Sequence, residues 1–313
     1  MDKAEVRFKN KRVLITGGGG YLGAKLTEKI APTGCGCYLF DKCFNLISTT
    51  LSETYHNVHL FKGDITDKSG LMNAVKTIAP HYVFHFAASD NRSRDFSIFN
   101  DMWYINVQGT LNLLEALQEI PYESFGFSST SDIYGPHNSL PFHEDQKPAP
   151  VSPYSMTKLM AEELIRTWSG IYHKPFTIFR IFLFMGPGMS STTFMAQLYE
   201  AFVSNREFRM TRGKQKRDYL MIHDLLECII GLTGNNDADG EIINLCSGTS
   251  VSMKEIADTV QKLSGHRLQV DYSLPNRENE IWEICGSNEK LKRLLPDFHP
   301  VPLMKGIRML FQI

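Results

Sequence analysis

The chain has 313 residues, of which 42% are hydrophobic and 21% charged, and its formal net charge is −1. That length accommodates one large domain or two coupled ones, and the composition excludes wholesale disorder. A nearly neutral chain has no global field to draw nucleic acid or an acidic membrane to it. The six cysteines (Cys35, Cys37, Cys43, Cys228, Cys246 and Cys285) lack the paired spacing of a zinc or redox motif. They read as free thiols in a reducing cytoplasm, and no metal site is expected. Met1–Glu5 carries no apolar signal segment. The most apolar stretch, Phe176–Met185, is interrupted by Arg180 and is too short to span a bilayer. The expectation is a cytoplasmic protein with no nucleic-acid partner and no membrane contact.

In chain order, short apolar runs bounded by Gly, Asp or Ser predict strands at Arg12–Thr16, Tyr38–Asp41, Val58–Lys62, Tyr82–Ala87, Phe125–Ser129 and Thr177–Phe182. Helical periodicity predicts helices at Leu22–Ile30, Gly70–Ile78, Ile105–Gln118 and Pro153–Tyr172. Beyond about residue 183 the alternation loosens. A helix at Phe194–Ser204, a strand at Ile242–Cys246 and a helix at Met253–Leu263 follow, the last with Ser252 as N-cap and Glu255 three residues later. Short helices at Asn288–Leu295 and Leu303–Phe311 close the chain. Strands alternating with helices predict an α/β fold with a doubly wound parallel sheet.

The turn after the first strand is Thr16-Gly17-Gly18-Gly19-Gly20-Tyr21-Leu22-Gly23, with Gly17, Gly20 and Gly23 at three-residue spacing before a helix. Glycines so placed permit a tight turn, close backbone approach to a pyrophosphate, and close packing of helix on strand. The helix start, including Tyr21 and Leu22, then offers its N–H groups to that pyrophosphate. Asp41 ends the second strand, 18 residues beyond Gly23. A carboxylate there accepts bonds from a ribose and repels a 2′-phosphate, and the adjacent Lys42 is a poor substitute for an arginine clamp. NAD is therefore expected over NADP. Asp64 and Ile65 follow the third strand, placed to meet the adenine, and Phe86-Ala87-Ala88 offers small residues where a cofactor passes closely.

Tyr154-Ser155-Met156-Thr157-Lys158 puts a phenol and an ammonium four residues apart, on one helix face. A free tyrosine ionises near pH ~10, too high for a base at neutral pH. A neighbouring lysine and a positively charged nicotinamide would both favour tyrosinate, and the lysine can also hold the nicotinamide ribose. Phe127–Gly135 leaves the fifth strand and delivers Ser128, Ser129 and Thr130 to the C-terminal edge of the sheet, where open α/β sheets bind ligands. Thr130 is the candidate to orient a substrate alcohol. A Ser/Thr-rich turn satisfying its own backbone is the plainer reading of Ser128 and Ser129.

In these motifs the chain resembles an extended short-chain dehydrogenase/reductase of the NAD-dependent sugar-nucleotide epimerase and dehydratase group. The likeness runs through Thr16–Gly23, Gly63–Asp67, His85–Ala88, Asn106–Thr110, Ser128–Gly135, Ser152–Lys158, Gly186–Gly188 and Arg217–Tyr219. It implies a Rossmann-type NAD-binding domain over residues 1–182 and a smaller C-terminal α/β substrate lobe over 183–313, with interleaved segments. It implies that Tyr154 takes the proton of the sugar 4-hydroxyl while hydride leaves C4 for NAD. Lys158 would tune Tyr154, Thr130 would bond the hydroxyl, and Asn106 would support the site beside Ser128. Arg217 and Arg277 would clamp the diphosphate of a nucleotide-diphosphate sugar, with Ser129 also touching substrate. The enzyme would be a homodimer paired through the helices Ile105–Gln118 and Pro153–Tyr172, whose Leu113, Leu117, Leu159 and Ile165 are expected to be left partly uncovered.

Two departures from the family pattern matter. Leu183 stands where an asparagine is usual, three residues after Arg180, and Met185 replaces a tyrosine before Gly186-Pro187. Asp132, two residues after Thr130, matches the place of the acid that dehydratases use at C5, but a turn-capping aspartate is equally in keeping. The expected activity is a sugar-nucleotide 4-epimerase or 4-dehydrogenase. A 4,6-dehydratase, a 4-keto-sugar reductase, and a catalytically idle dinucleotide-binding sensor or scaffold stay open as alternatives.

Overall fold

The computed structural model describes residues 7–136, 138–265, 268–276 and 280–313. Its principal sheet contains β1 (Arg12–Thr16), β2 (Gly36–Asp41), β3 (Val58–Lys62), β4 (Tyr82–His85), β5 (Ser124–Thr130), β6 (Thr177–Ile181) and a last strand, Glu241–Leu245. The spatial order is Glu241–Leu245, β6, β5, β4, β1, β2, β3. Consecutive members from β6 to β3 pair in parallel. The order reverses at β1, whose Thr16 pairs with Phe40 on one side and His85 on the other. That reversal opens a crevice at the carboxyl ends of the strands. The fold is the doubly wound α/β arrangement that the alternation predicts. The strand expected near Ile242 belongs to this sheet, beside β6, rather than to a separate C-terminal array.

The helices that cover the sheet are α1 (Tyr21–Ile30), α2 (Leu46–Thr54), α3 (Lys68–Ile78), α4 (Phe99–Trp103), α5 (Gly109–Leu117) and α6 (Pro153–Tyr172). Between α4 and α5 runs a π-helical turn, Tyr104–Gln108, so the single helix expected over Ile105–Gln118 is interrupted near its start. Helix α2 has no apolar stripe, with only Ser48 and Leu51 buried. It is set instead by Asn45, whose side chain accepts from Ser48 N–H at 2.8 Å. In α6, Ser152 and Ser155 form a reciprocal capping box and Pro153 occupies the first turn.

The core of this part joins Leu14, Val83, Phe125 and Ile178 from the strands to Leu71, Val75, Leu113, Leu114, Leu117, Ile165 and Trp168 from the helices. Burial of each such aliphatic side chain contributes roughly 1.5–3 kcal/mol. Of the four apolar side chains expected to be left partly uncovered for a helical interface, Leu159 is half-buried, whereas Leu113, Leu117 and Ile165 are wholly buried in their own core among α3, α5 and α6.

The chain divides into two compact units. The first comprises Met1–Gly135, Lys147–Ile181 and Leu226–Ile243, and the second Pro136–Gln146, Phe182–Leu225 and Asn244–Ile313. In the second unit, β7 (Leu183–Met185) and two further strands, Ser250–Ser252 and Glu283–Ile284, all pair with Lys216–Met221. Its core gathers Met185, Met195, Leu198, Tyr219, Met221, Ile256, Val260, Ile307 and Leu310. Among the described residues, no helix is long and apolar enough to cross a membrane.

Candidate active site

The glycine turn has the geometry its spacing predicts. Gly17 has φ +73°, and a Cβ there would lie 2.6 Å from the Ala87 nitrogen and the Phe86 carbonyl carbon, so only glycine lets β1 and the segment after β4 come this close. Gly20 caps α1 without a side chain to bond the first-turn amides, and Gly23 packs within that turn. Tyr21 and Leu22 are half-buried at the helix start. Gly19 N–H donates to Asp41 Oδ2 at 2.9 Å and Cys43 N–H to Oδ1 at 3.3 Å. The carboxylate keeps further lone pairs for a ribose. Lys42 pairs with Asp64 at 2.9 Å, which engages the cation closest to Asp41 in sequence. Burial opposes ionisation of Asp64, but the bonds from Thr66 and Lys42 outweigh it and hold its pKa below the usual carboxylate range. A strand-end carboxylate, a glycine-only approach and a helix start capped by glycine together fit a dinucleotide. The Ile65 side chain packs into the core, and its carbonyl accepts from Asn112 Nδ2 at 3.1 Å.

Below the turn, a buried chain of hydrogen bonds fixes the residues around β4. Thr110 donates to the Asn106 carbonyl at 2.6 Å, so its oxygen is the acceptor for His85 Nε2–H at 2.9 Å. The Thr16 hydroxyl then donates to His85 Nδ1 at 2.7 Å. Burial, with Lys158 adding repulsion, pushes the His85 pKa down to about 3, so the imidazole is neutral and the chain keeps one direction. Asn106, in the π-helical turn, accepts from Ser89 N–H at 2.7 Å. Its amide donates to the Ser89 carbonyl at 3.1 Å and to Thr157 at 3.0 Å. Asn106 thus ties the segment after β4 to the helix that carries Tyr154 and Lys158.

Thr130 ends β5 and caps the turn Ser131–Tyr134, its oxygen accepting from Asp132 N–H at 3.2 Å. Thr130, Tyr154 and Lys158 are all buried, and a hydrogen bond from Thr130 favours the ionised Tyr154. Burial nevertheless raises the Tyr154 pKa, with Arg92 acting in the opposite sense and Asp132 and Asp90 adding to the rise. Lys158 Nζ lies 4.0 Å above the Phe127 ring, and burial brings its pKa down to about 7 against the pull of Glu162. The Ser128 hydroxyl donates to the His85 carbonyl at 3.3 Å, tying β5 to β4. Ser129 is a correction: neighbours along a strand face opposite ways, and its hydroxyl is buried and donates to Glu162 rather than standing open to a ligand.

Arg92 was not among the predicted site residues. Its guanidinium carbon sits 4.2 Å from the Tyr154 ring centroid, and its Nη1 pairs with Asp132. Nothing in the polar run Ser89–Asp95 distinguishes this arginine from Arg94; the fold of the segment does. In the second unit, Arg217 Nη2 pairs with Glu280 at 3.0 Å, both side chains being largely buried. The neighbouring Asp218 gathers Ser247 and the amides of Ser247, Gly248 and Gly286. Leu183 packs against the apolar core of that unit. Arg277 lies outside the described residues.

Comparison with known proteins places this arrangement in a family. Over 310 residues the chain is 28% identical to a UDP-glucose 4-epimerase of Rhizobium meliloti, covering 92% of each chain. It is 30% identical over 311 residues to a UDP-glucuronate 4-epimerase of Thermodesulfobacterium geofontis, covering 94% of this chain and 93% of that one. The crystal structure of UDP-glucuronic acid 4-epimerase from Bacillus cereus, in complex with UDP-glucuronic acid and NAD, superposes with a TM-score of 0.83. Identity there is 25%, over 96% of this chain and 98% of that one. Residues 13–246 match the family model itself, and the chain belongs to the NAD-dependent epimerase/dehydratase family.

Proposed function

We propose that this protein oxidises C4 of a nucleotide-linked sugar and returns hydride to the opposite face, acting as a sugar-nucleotide 4-epimerase. The observation that carries the reading is the burial of Thr130, Tyr154 and Lys158 together at the carboxyl edge of β5 and the start of α6. NAD supplies a reversible hydride acceptor when bound. Gly17, Gly20, Tyr21, Leu22, Gly23 and Asp41 are the residues to hold it, with Lys42, Asp64, Phe86, Ala87, Ala88 and Ser128 around them. Tyr154 takes the proton of the 4-hydroxyl, Thr130 bonds that hydroxyl, and Lys158 stabilises the tyrosinate and reaches the ribose. Asn106 holds the frame between them. Arg217 is the residue to meet the diphosphate, exchanging Glu280 for phosphate oxygens, since a guanidinium fork suits either partner.

The pairing of Asp132 with Arg92 favours epimerisation over 4,6-dehydration, because a base for C5 needs a carboxylate that is not already held by a cation. Assembly as a homodimer in the cytoplasm completes the proposal. The apolar side chains available for pairing are Tyr104, Met156, Ile171 and Tyr172, which are exposed along the helical segments.

Incubation with UDP-glucose and with UDP-glucuronic acid, followed by proton NMR of the anomeric region, tests the activity. Appearance of the 4-epimer supports it, and absence of turnover with every nucleotide sugar offered would remove it. Loss of the C6 oxygen with solvent deuterium at C5 would replace epimerisation by dehydration.

A further inference from the structure

We propose that Arg92 is a positioning residue for the proton acceptor: it lies on the ring face of Tyr154 and stabilises the tyrosinate, with Asp132 as the counter-ion that holds it in place. The proposal rests on Tyr154 being the base of the proposed function. Sequence patterns point to the lysine one turn along the helix as the cation that activates the tyrosine. Lys158 has its ammonium on the face of Phe127, and Arg92 supplies a second cation, on the ring face of Tyr154 itself. Arg92 stays charged under all working conditions, since a guanidinium does not deprotonate in proteins. Its guanidinium carbon is 4.2 Å from the Tyr154 ring centroid, within the range where a cation and an aromatic face attract. When the phenol ionises, that attraction becomes one between opposite full charges.

Two observations show that the placement is built. The Asp132 carboxylate accepts from Arg92 Nη1. Asp132 is itself fixed, its backbone N–H donating to Thr130 Oγ1 at 3.2 Å in the turn that follows β5. On the other side, Ser89, three residues before Arg92, is clamped by the Asn106 amide at both its N–H and its carbonyl. The segment that carries Arg92 is therefore held at its root by the π-helical turn and at its tip by the turn after β5.

The charged groups acting on Tyr154 come from both of these segments: Arg92 favours the anion, while Asp132 and Asp90 oppose it. On the tyrosine's own helix are Lys158 and, one turn further, Glu162. Removing Arg92's charge must therefore raise the pH at which Tyr154 ionises, and removing that of Asp132 must lower it.

The test compares Arg92→Gln, Arg92→Lys and Asp132→Asn with wild type as NAD-loaded protein. Two measurements are made: near-ultraviolet difference absorbance of tyrosinate against a Tyr154→Phe blank, without substrate, and the pH profile of kcat/KM. For Arg92→Gln the Tyr154 midpoint and the acidic limb should move up by about one pH unit, with activity near pH 7 down about tenfold and recovering as pH rises. Arg92→Lys should restore most of the shift, and Asp132→Asn, whose amide oxygen still accepts from Arg92 while the negative charge is gone, should move the midpoint down. An unmoved midpoint in Arg92→Gln, or activity lost equally at every pH, overturns the proposal. The substrate-free titration reads Arg92's effect even if no nucleotide sugar is turned over, so failure of the activity and failure of this inference are separable.

Discussion

Glu162 and Arg180 form a two-bond ion pair in the interior of the first unit. Nε donates to Oε1 at 3.2 Å and Nη2 to Oε2 at 2.8 Å, with both side chains inaccessible to solvent. Arg180 Nη1 also donates to the Tyr134 hydroxyl at 3.1 Å, and Ser129 donates to Glu162. The pair joins β5, β6 and α6 beneath the reactive centre, and its carboxylate stands one helical turn from Lys158.

Breaking that pair on one side strands a buried charge. Glu162→Gln is expected to lower unfolding free energy by about 3–5 kcal/mol. A double replacement, Glu162→Leu with Arg180→Met, should cost less than the single change because the Arg180 guanidinium is no longer left buried without its carboxylate. Urea denaturation of the three proteins decides this. A double mutant less stable than Glu162→Gln would show that the pair contributes more than its desolvation costs.

Cofactor choice follows from Asp41. NAD should bind at least about tenfold more tightly than NADP, a difference of roughly 1.4 kcal/mol, and Asp41→Asn should narrow the gap by relieving repulsion of a 2′-phosphate. Fluorescence titration of both cofactors measures it, and equal affinities in wild type would remove Asp41 from the ribose site.

Replacement of the proton acceptor separates chemistry from binding. Tyr154→Phe should reduce turnover by about a hundredfold to ten-thousandfold with NAD affinity nearly unchanged. Lys158→Ala should weaken both. Retention of a tenth or more of the activity by Tyr154→Phe would require a different base.

The neutral His85 makes stability pH-dependent in a defined window. Its pKa is about 3 in the folded protein and 6.5 ordinarily, so the unfolded chain binds the extra proton between those values. The contribution is fully present above pH 6.5 and is lost as pH falls toward 3, at roughly 1.4 kcal/mol per pH unit. His85→Gln keeps a donor and an acceptor for Thr110 and Thr16 without titrating. It should flatten that part of the curve of stability against pH, and an unchanged slope would assign the acid sensitivity elsewhere.

Assembly is tested by light scattering at micromolar concentration, where a dimer is expected. Tyr104→Lys combined with Ile171→Lys should shift it toward monomer, since both side chains are exposed and neither supports the core. A wild-type monomer would rule the pairing out.

Several strands and helices of the first unit were legible because local chemistry sets them. The strands Arg12–Thr16 and Val58–Lys62 and the helix Pro153–Tyr172 have the bounds that apolar periodicity, caps and flanking breakers predict. The glycine turn was legible too, since only glycine accepts the φ and the backbone approach found at Gly17. Spacing along one strand or helix also brought Thr130, Tyr154 and Lys158 to attention. Tertiary structure alone decided which neighbours those residues meet. Ser129 looked like a substrate contact until the sheet turned it toward Glu162, and Leu113, Leu117 and Ile165 looked like interface residues until the helices around them enclosed them. Arg92 carries no periodicity and no motif. It meets Tyr154 only because Asn106, 14 residues later in the chain, clamps the segment after β4, and Asp132, 40 residues later, fixes its end. Contacts between residues so far apart depend on how the packed core closes the intervening chain, and no local preference encodes that closure.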